Sequence, residues 1–132
     1  MRTGKQKILI LGANGQVGKE LSRRAGNFEV NATAFTRTEL DITDSQAVAR
    51  ILESLRPNTV INAAAYTAVD DAENLTEVAY KVNRDAPENL AKICEKLSIP
   101  FIHISTDYVF DGKKSSAYLE DDPVCPLGIY GR

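Results

Sequence analysis

The chain has 132 residues, 43% of them hydrophobic and 26% charged, with a formal net charge of -2. That is enough for one domain around one core. It offers no cluster of Lys and Arg of the kind a duplex-binding surface needs, and no apolar run near the roughly 20 residues that span a bilayer. No nucleic-acid or membrane partner is expected.

The start, MRTGKQKILIL, is basic and then apolar. Its apolar stretch breaks at Gly12 and is too short for a secretory signal. Two cysteines, Cys94 and Cys125, suit a reducing cytosol rather than a disulfide framework. A cytoplasmic protein is expected, with Cys94 in the core.

KILIL (7–11) is a continuous apolar run of the kind that forms a strand buried on both faces. A glycine-rich break at 12–18 follows. Val17, Leu21 and Ala25 then stripe a short helix that ends near Gly26-Asn27. FEVNATAF (28–35) alternates and predicts a second strand. Asp44 or Ser45 caps a helix whose apolar face is Ala47, Val48, Ile51, Leu52 and Leu55. TVINAAA (59–65) predicts a third strand. A helix starting at Asn74 or Thr76 carries Val78, Val82, Ala86, Leu90, Cys94 and Leu97 on one face. Pro87 either kinks it or opens a new helix in its first turn. FIHIS (101–105) predicts a fourth strand, after which the pattern gives way to loop. Strands alternating with helices imply parallel pairing through right-handed crossovers. The expected fold is α/β: a Rossmann-type doubly wound parallel sheet, incomplete, with helices on both faces.

Four stretches carry chemistry. In GANGQVG, Gly12, Gly15 and Gly18 follow the first strand and open a helix, along with Asn14, Gln16 and Val17. Gly12 allows the tight turn, Gly15 lets backbone approach a pyrophosphate, and Gly18 brings the helix close to the sheet. The N–H groups of the helix start then face the phosphates. The spacing is G-x-x-G-x-x-G, one residue off the familiar dinucleotide fingerprint, and it draws its force from the strand-loop-helix context.

The second strand ends Phe35-Thr36-Arg37, with no acid at its tip. An acid there would bind the ribose 2′-hydroxyl of NAD, whereas an Arg accommodates the 2′-phosphate of NADP. NADPH is the expected cofactor and NADH the alternative. Asp41 and Ile42 are placed to flank the adenine, Asp41 being equally suited to a plain turn. Ala63, Ala64 and Ala65 end the third strand and leave room for a dinucleotide, with polar contacts expected from Asn62 and Tyr66. Ser105 and Thr106 put hydroxyls at the same carboxyl edge. Asp107 is placed to cap or to orient a neighbour, and Tyr108 and Phe110 are expected to pack. His103, the only histidine, is expected to be structural. No metal ligands are expected.

GxxGxxG, NAAAYT, STDYVFDG and the tyrosine of PLGIYG together resemble the extended short-chain dehydrogenase/reductases over nearly the whole chain, from Lys7 to Arg132. The pairing of STDYVFDG with PLGIYG is most similar to the branch that reduces the C4 ketone of a dTDP-4-keto-6-deoxy sugar to give dTDP-L-rhamnose. The resemblance implies an NADPH-dependent sugar-nucleotide reductase with a dTDP-sugar substrate. Gly12, Gly15, Gly18, Ala63, Ala64 and Tyr66 would bind the cofactor. Thr106 would hold the carbonyl oxygen and Tyr130 would be the general acid. A phenol, with a pKa of about 10, donates poorly near neutrality unless its anion is stabilised. The family provides a lysine four residues on, on the same helix face. That position would fall beyond Arg132, as would the later strands and the sugar-binding domain.

Activity of the 132-residue chain alone is accordingly not expected. A tyrosine so near a terminus is not expected to be fixed in place. The last strand would present an uncovered edge, which implies marginal stability or self-association, for instance as a homodimer. Two other functions stay open: a non-catalytic nucleotide-binding or regulatory subunit, and a related epimerase or dehydratase. Asp107-Tyr108 after Thr106, where dehydratases carry an acid pair, argues against the last.

Overall fold

The computed structural model describes residues 4–132. Met1–Thr3, the beginning of the basic N-terminal stretch, lie outside the described residues. Four strands form one parallel sheet: β1 (Gln6–Leu11), β2 (Val30–Phe35), β3 (Thr59–Asn62) and β4 (Phe101–His103), in the order β2-β1-β3-β4. The helices are α1 (Gln16–Ala25), α2 (Ser45–Leu55), α3 (Val69–Ala72), α4 (Thr76–Tyr80) and α5 (Ala86–Lys96). A π-helical turn, Lys81–Asp85, joins α4 to α5.

The apolar run of β1 dictates its central place. Successive side chains of a strand point to opposite faces, so burying Leu9, Ile10 and Leu11 to 1%, 2% and 1% exposure requires cover on both sides. Leu9 pairs with Thr33 of β2 on one flank and Val60 of β3 on the other. The chain leaves β1 in one direction through α1, then returns across it through α2 to reach β3. Right-handed crossovers running in opposite directions put their helices on opposite faces. Thus α1 lies on β1 and β2, while α2 packs with α5 across the sheet. The main core joins Leu9, Leu11 and Val60 to Val48 and Leu52 of α2, Leu90 and Cys94 of α5, and Leu40 and Ile42. Each such side chain contributes about 1.5–3 kcal/mol by leaving water. Burial raises the pKa of the Cys94 thiol.

The helix ends follow local chemistry. The Asp44 side chain accepts from Ala47 N at 2.9 Å and caps α2. Arg56 closes that helix in the left-handed conformation, φ 43°, just before Pro57. Pro87 lies in the first turn of α5, as one of the two expectations had it. The helical path nevertheless runs on from α4 through the wider π turn, which relieves the clash a proline ring makes with the preceding turn.

That turn corrects the expected stripe. A π turn adds one residue to the winding, so the face shifts by one position upstream of it. Ala79 is buried at 1% exposure, and Val78, expected on the core face, is 42% exposed. On α1, Val17 is likewise exposed, because it borders a cleft, and Gly18 is the residue buried against the sheet. β2 begins at Val30 rather than Phe28, since Asn27 and Phe28 close a turn onto Arg24 and Ala25. The short helix α3 carries no periodic signal and was not anticipated.

Among the described residues β4 pairs only with β3, and Ile102 and Ile104 are 49% and 44% exposed on the face that α1 leaves uncovered. Among the described residues, no helix is long and apolar enough to cross a membrane.

Candidate functional site

The chain reverses direction between β1 and β3, and in open α/β sheets a ligand crevice forms at such a switch point, outside the carboxyl ends of the strands. Here that place is a cleft of about 940 Å³. Its walls come from every strand end: Gly12 and Asn14–Val17 after β1, Arg37 and Leu40–Ile42 after β2, Ala63–Thr67 after β3, and His103–Thr106 after β4. Ile129–Arg132 close one side.

The glycine loop is built by close contacts. Gly12 has φ +80°, and a Cβ on it would sit 2.5 Å from the backbone nitrogen of Ala64. A Cβ on Gly18 would overlap the Gly12 carbonyl, so α1 can press on the loop only because that residue is glycine. Gly15 is different. Its Cβ would meet nothing closer than the Gly12 oxygen at 3.4 Å, and its open side is the cleft. As N-cap of α1, Gly15 offers no side chain to the first-turn N–H groups. Those groups are therefore available to an anion, together with the positive end of the helix.

After β2, the expected absence of an acid at the tip has a structural counterpart. Glu39 folds back, and its Oε2 accepts from Thr36 N at 2.8 Å and from Thr36 Oγ1 at 2.7 Å. These bonds hold its carboxyl below the usual range. Arg37 is 81% exposed, with its Nε 3.7 Å from Asp41 Oδ2. Asp41 accepts from Thr43 N and Thr43 Oγ1 at 2.9 and 2.8 Å. The backbone bond does most to lower its pKa, with Arg37 and Lys81 adding smaller contributions. Asp41 therefore serves the turn and borders the cleft at once. Ile42 borders the cleft too, but at 6% exposure its side chain belongs chiefly to the core.

Thus Gly12, Asn14, Gly15, Gln16, Val17, Arg37, Asp41, Ile42, Ala63, Ala64, Ala65, Tyr66, Thr106 and Tyr130 share one cleft, with Gly18 packed beneath it. Asn62 does not face it. Its side chain is fully buried, with Oδ1 accepting from Ala64 N at 3.1 Å and Nδ2 donating to His103 Nδ1 at 3.2 Å. The polar contact expected of Asn62 is thus spent inside the protein, on shaping the strand end. His103, stacked on Phe101, is its structural partner.

His103 keeps much of its surface in solvent, and the desolvation of its ring lowers its pKa. With the folded value depressed, the unfolded chain binds the proton more readily, so stability falls as pH drops below about 6.5. In His103→Gln, which keeps a neutral acceptor for Asn62, the unfolding midpoint is expected to depend less on pH between about 7 and 5. Chemical denaturation at several pH values measures this.

Several residues that shape the site escaped the sequence reading. Asn83, in the π turn, donates to Tyr66 O at 2.9 Å and accepts from Tyr66 N at 2.8 Å, pinning the loop after β3. Arg84 lies over the Tyr80 ring at 4.5 Å and also borders the cleft. Thr106 caps a 3-10 turn, Asp107–Val109, by accepting from Tyr108 N at 3.2 Å. Its hydroxyl donates to Asp107 Oδ1 at 3.4 Å, which is the orienting role expected of Asp107. Phe110 packs on Tyr118 with centroids 4.1 Å apart.

Tyr130, expected to be unheld, is fixed. It is partly buried and meets Tyr108 edge-on, with ring centroids 5.4 Å apart at 84°. A Cβ on Gly131 would overlap the Tyr108 carbonyl, so this glycine permits the close approach. Among the described residues, no group of His, Cys, Asp and Glu gathers as a metal site.

Residues 6–132 match the family described as "RmlD substrate binding domain". The chain belongs to the RmlD family. It is 48% identical over 125 residues to the dTDP-4-dehydrorhamnose reductase of Burkholderia thailandensis, covering 95% of this chain and 42% of that protein. A crystal structure of a dTDP-4-dehydrorhamnose reductase from Clostridium acetobutylicum superposes with a TM-score of 0.92 at 42% identity, over 96% of this chain and 45% of the other. The Bacillus anthracis reductase, solved in complex with NADP, gives a TM-score of 0.94 at 36% identity, over 99% and 47%. The chain therefore spans less than half the length of these RmlD relatives.

Proposed function

We propose that the chain is the cofactor-binding part of an NADPH-dependent sugar-nucleotide reductase. It would act on the C4 ketone of a dTDP-4-dehydro-6-deoxy sugar, giving dTDP-L-rhamnose. The observation that carries this is the convergence on one cleft of an uncapped, glycine-lined helix start, Arg37, and the hydroxyls of Thr106 and Tyr130. The reductase names of the RmlD relatives and the NADP in one of them support it.

Bound NADPH would supply a hydride to the carbonyl carbon. The chain's residues do the rest. The first turn of α1 takes the pyrophosphate, and Arg37 the 2′-phosphate. Ala63–Ala65 leave the backbone bare along the dinucleotide. Thr106 Oγ1 holds the carbonyl oxygen, and the Tyr130 hydroxyl gives its proton to the alkoxide as it forms. The dTDP-sugar pocket and the lysine that would assist Tyr130 would be provided by the further length that the relatives have. Two free thiols, Cys94 and Cys125, agree with a cytoplasmic place for this work.

The test is turnover of a dTDP-4-keto sugar by a protein carrying this segment at the length of its relatives. Tyr130→Phe is expected to lower kcat about 10²–10⁴-fold, the range for loss of a general acid, with NADPH affinity unchanged. Loss of absorbance of the reduced nicotinamide reports the rate. Undiminished turnover would remove Tyr130 from the mechanism.

A further inference from the structure

The sequence explains PLGIYG only as far as the tyrosine. The structure shows what holds that tyrosine. Glu73, 56 positions before Ile129, accepts a hydrogen bond on Oε1 from Ile129 N at 2.7 Å. A Cβ on Gly128 would lie 2.7 Å from the same oxygen, so a side chain there would make the carboxylate shift, and the glycine leaves it room to approach the backbone. The bond is charge-assisted, of the stronger class.

Glu73 is itself well anchored. It ends α3, its backbone N–H donates to Asp70 O, and the preceding Ala72 is fully buried. On the other side of Tyr130, Gly131 lies against the Tyr108 carbonyl, and Cys125 N donates to Val109 O at 2.8 Å. The tyrosine is thus held between two seats: the 3-10 turn that begins at Thr106, and the carboxylate of Glu73.

We propose that Glu73 is a positioning residue for Tyr130, fixing the Gly128–Gly131 segment through the Ile129 N–H so that the phenol stays at the cleft beside Thr106. The inference rests on the proposed role of Tyr130 as proton donor. Glu73 does not line the cleft, so its effect on the reaction is exerted through the loop alone.

The test uses the 132-residue chain, isotope-labelled and followed by NMR. In Glu73→Ala, amide exchange at Ile129 is expected to rise about tenfold or more. The Tyr130 ring signals, set by the edge-on Tyr108 ring, should move toward those of an unstructured tyrosine. Glu73→Gln retains a carbonyl acceptor and should restore most of both readings, which a mere loss of charge would not. Gly128→Ala makes the flexible carboxylate shift and should move both readings less than Glu73→Ala does. If Ile129 exchange and the Tyr130 signals stay unchanged in Glu73→Ala, the proposal is wrong. NADPH titration of the same samples separates the two readings. Absence of binding in the unaltered chain would count against this cleft as the nucleotide site and leave the Glu73 result standing. Equal binding in Glu73→Ala and the unaltered chain is expected, and a large loss there would contradict a role confined to the loop.

Discussion

Gly12→Ala is expected to destabilise the chain by about 3 kcal/mol or more, the sum of left-handed strain and overpacking against backbone. The two costs are independent. At φ +80° any side chain is strained, and the added Cβ would lie 2.5 to 2.7 Å from three backbone atoms of Ala63 and Ala64. Those atoms are the end of β3 and cannot swing aside as a side chain tip can. For a chain this size the melting temperature should fall by about 10 °C. Gly15→Ala is the control. Its Cβ enters ordinary contact distance at 3.4 Å, so stability should hardly change, while the methyl intrudes where a pyrophosphate would lie. Thermal unfolding of the two variants side by side would separate the turn from the ligand surface. Equal stabilities would mean that the loop is more compliant than its contacts imply.

Arg37→Ala is expected to weaken NADPH binding by about 10- to 100-fold, the cost of losing a hydrogen-bonded charge pair. NADH, without the 2′-phosphate, should lose little. The argument is geometric as well as electrostatic. Arg37 stands at the end of β2 with most of its side chain in solvent and only a long 3.7 Å approach to Asp41. It is free to turn to a phosphate. Glu39, the acid that an NAD site would want nearby, is committed to Thr36. Titration calorimetry with both nucleotides gives the two affinities. Equal losses would refute the role assigned to Arg37.

Much of this could be read from the residues, for particular reasons. KILIL has no face to expose, so its central place follows from hydrophobicity alone. GANGQVG follows it directly, so the loop, its three glycines and the start of α1 are fixed by local chemistry. The Asp44 cap is a three-residue matter, and Asp44 is one of the two positions that the spacing allowed.

What escaped depends on contacts between distant segments. The π turn at Lys81–Asp85 leaves no periodic trace, and by adding a residue it moves Val78 off the core face and Ala79 onto it. Asn62 reads as a polar group at a strand end. Only its burial, and the partnership with Ala64 and His103, turn it inward. The strands β3 and β4 end sooner than their hydrophobic runs do, at Asn62 and His103, and the residues that follow line the cleft. Glu73 and Ile129 are 56 positions apart, and no spacing rule joins them. The same holds for Gly131 and the Tyr108 carbonyl, which together keep a near-terminal tyrosine in place.

The most direct test of the central claim is to titrate the isotope-labelled chain with NADPH and follow its backbone amides. The predicted result is saturable shifts concentrated at Gly12–Gly18, Thr36–Ile42 and Ala63–Tyr66, with the opposite ends of the strands undisturbed. Shifts confined to other surfaces, or none at all, would mean that this cleft is not the nucleotide site.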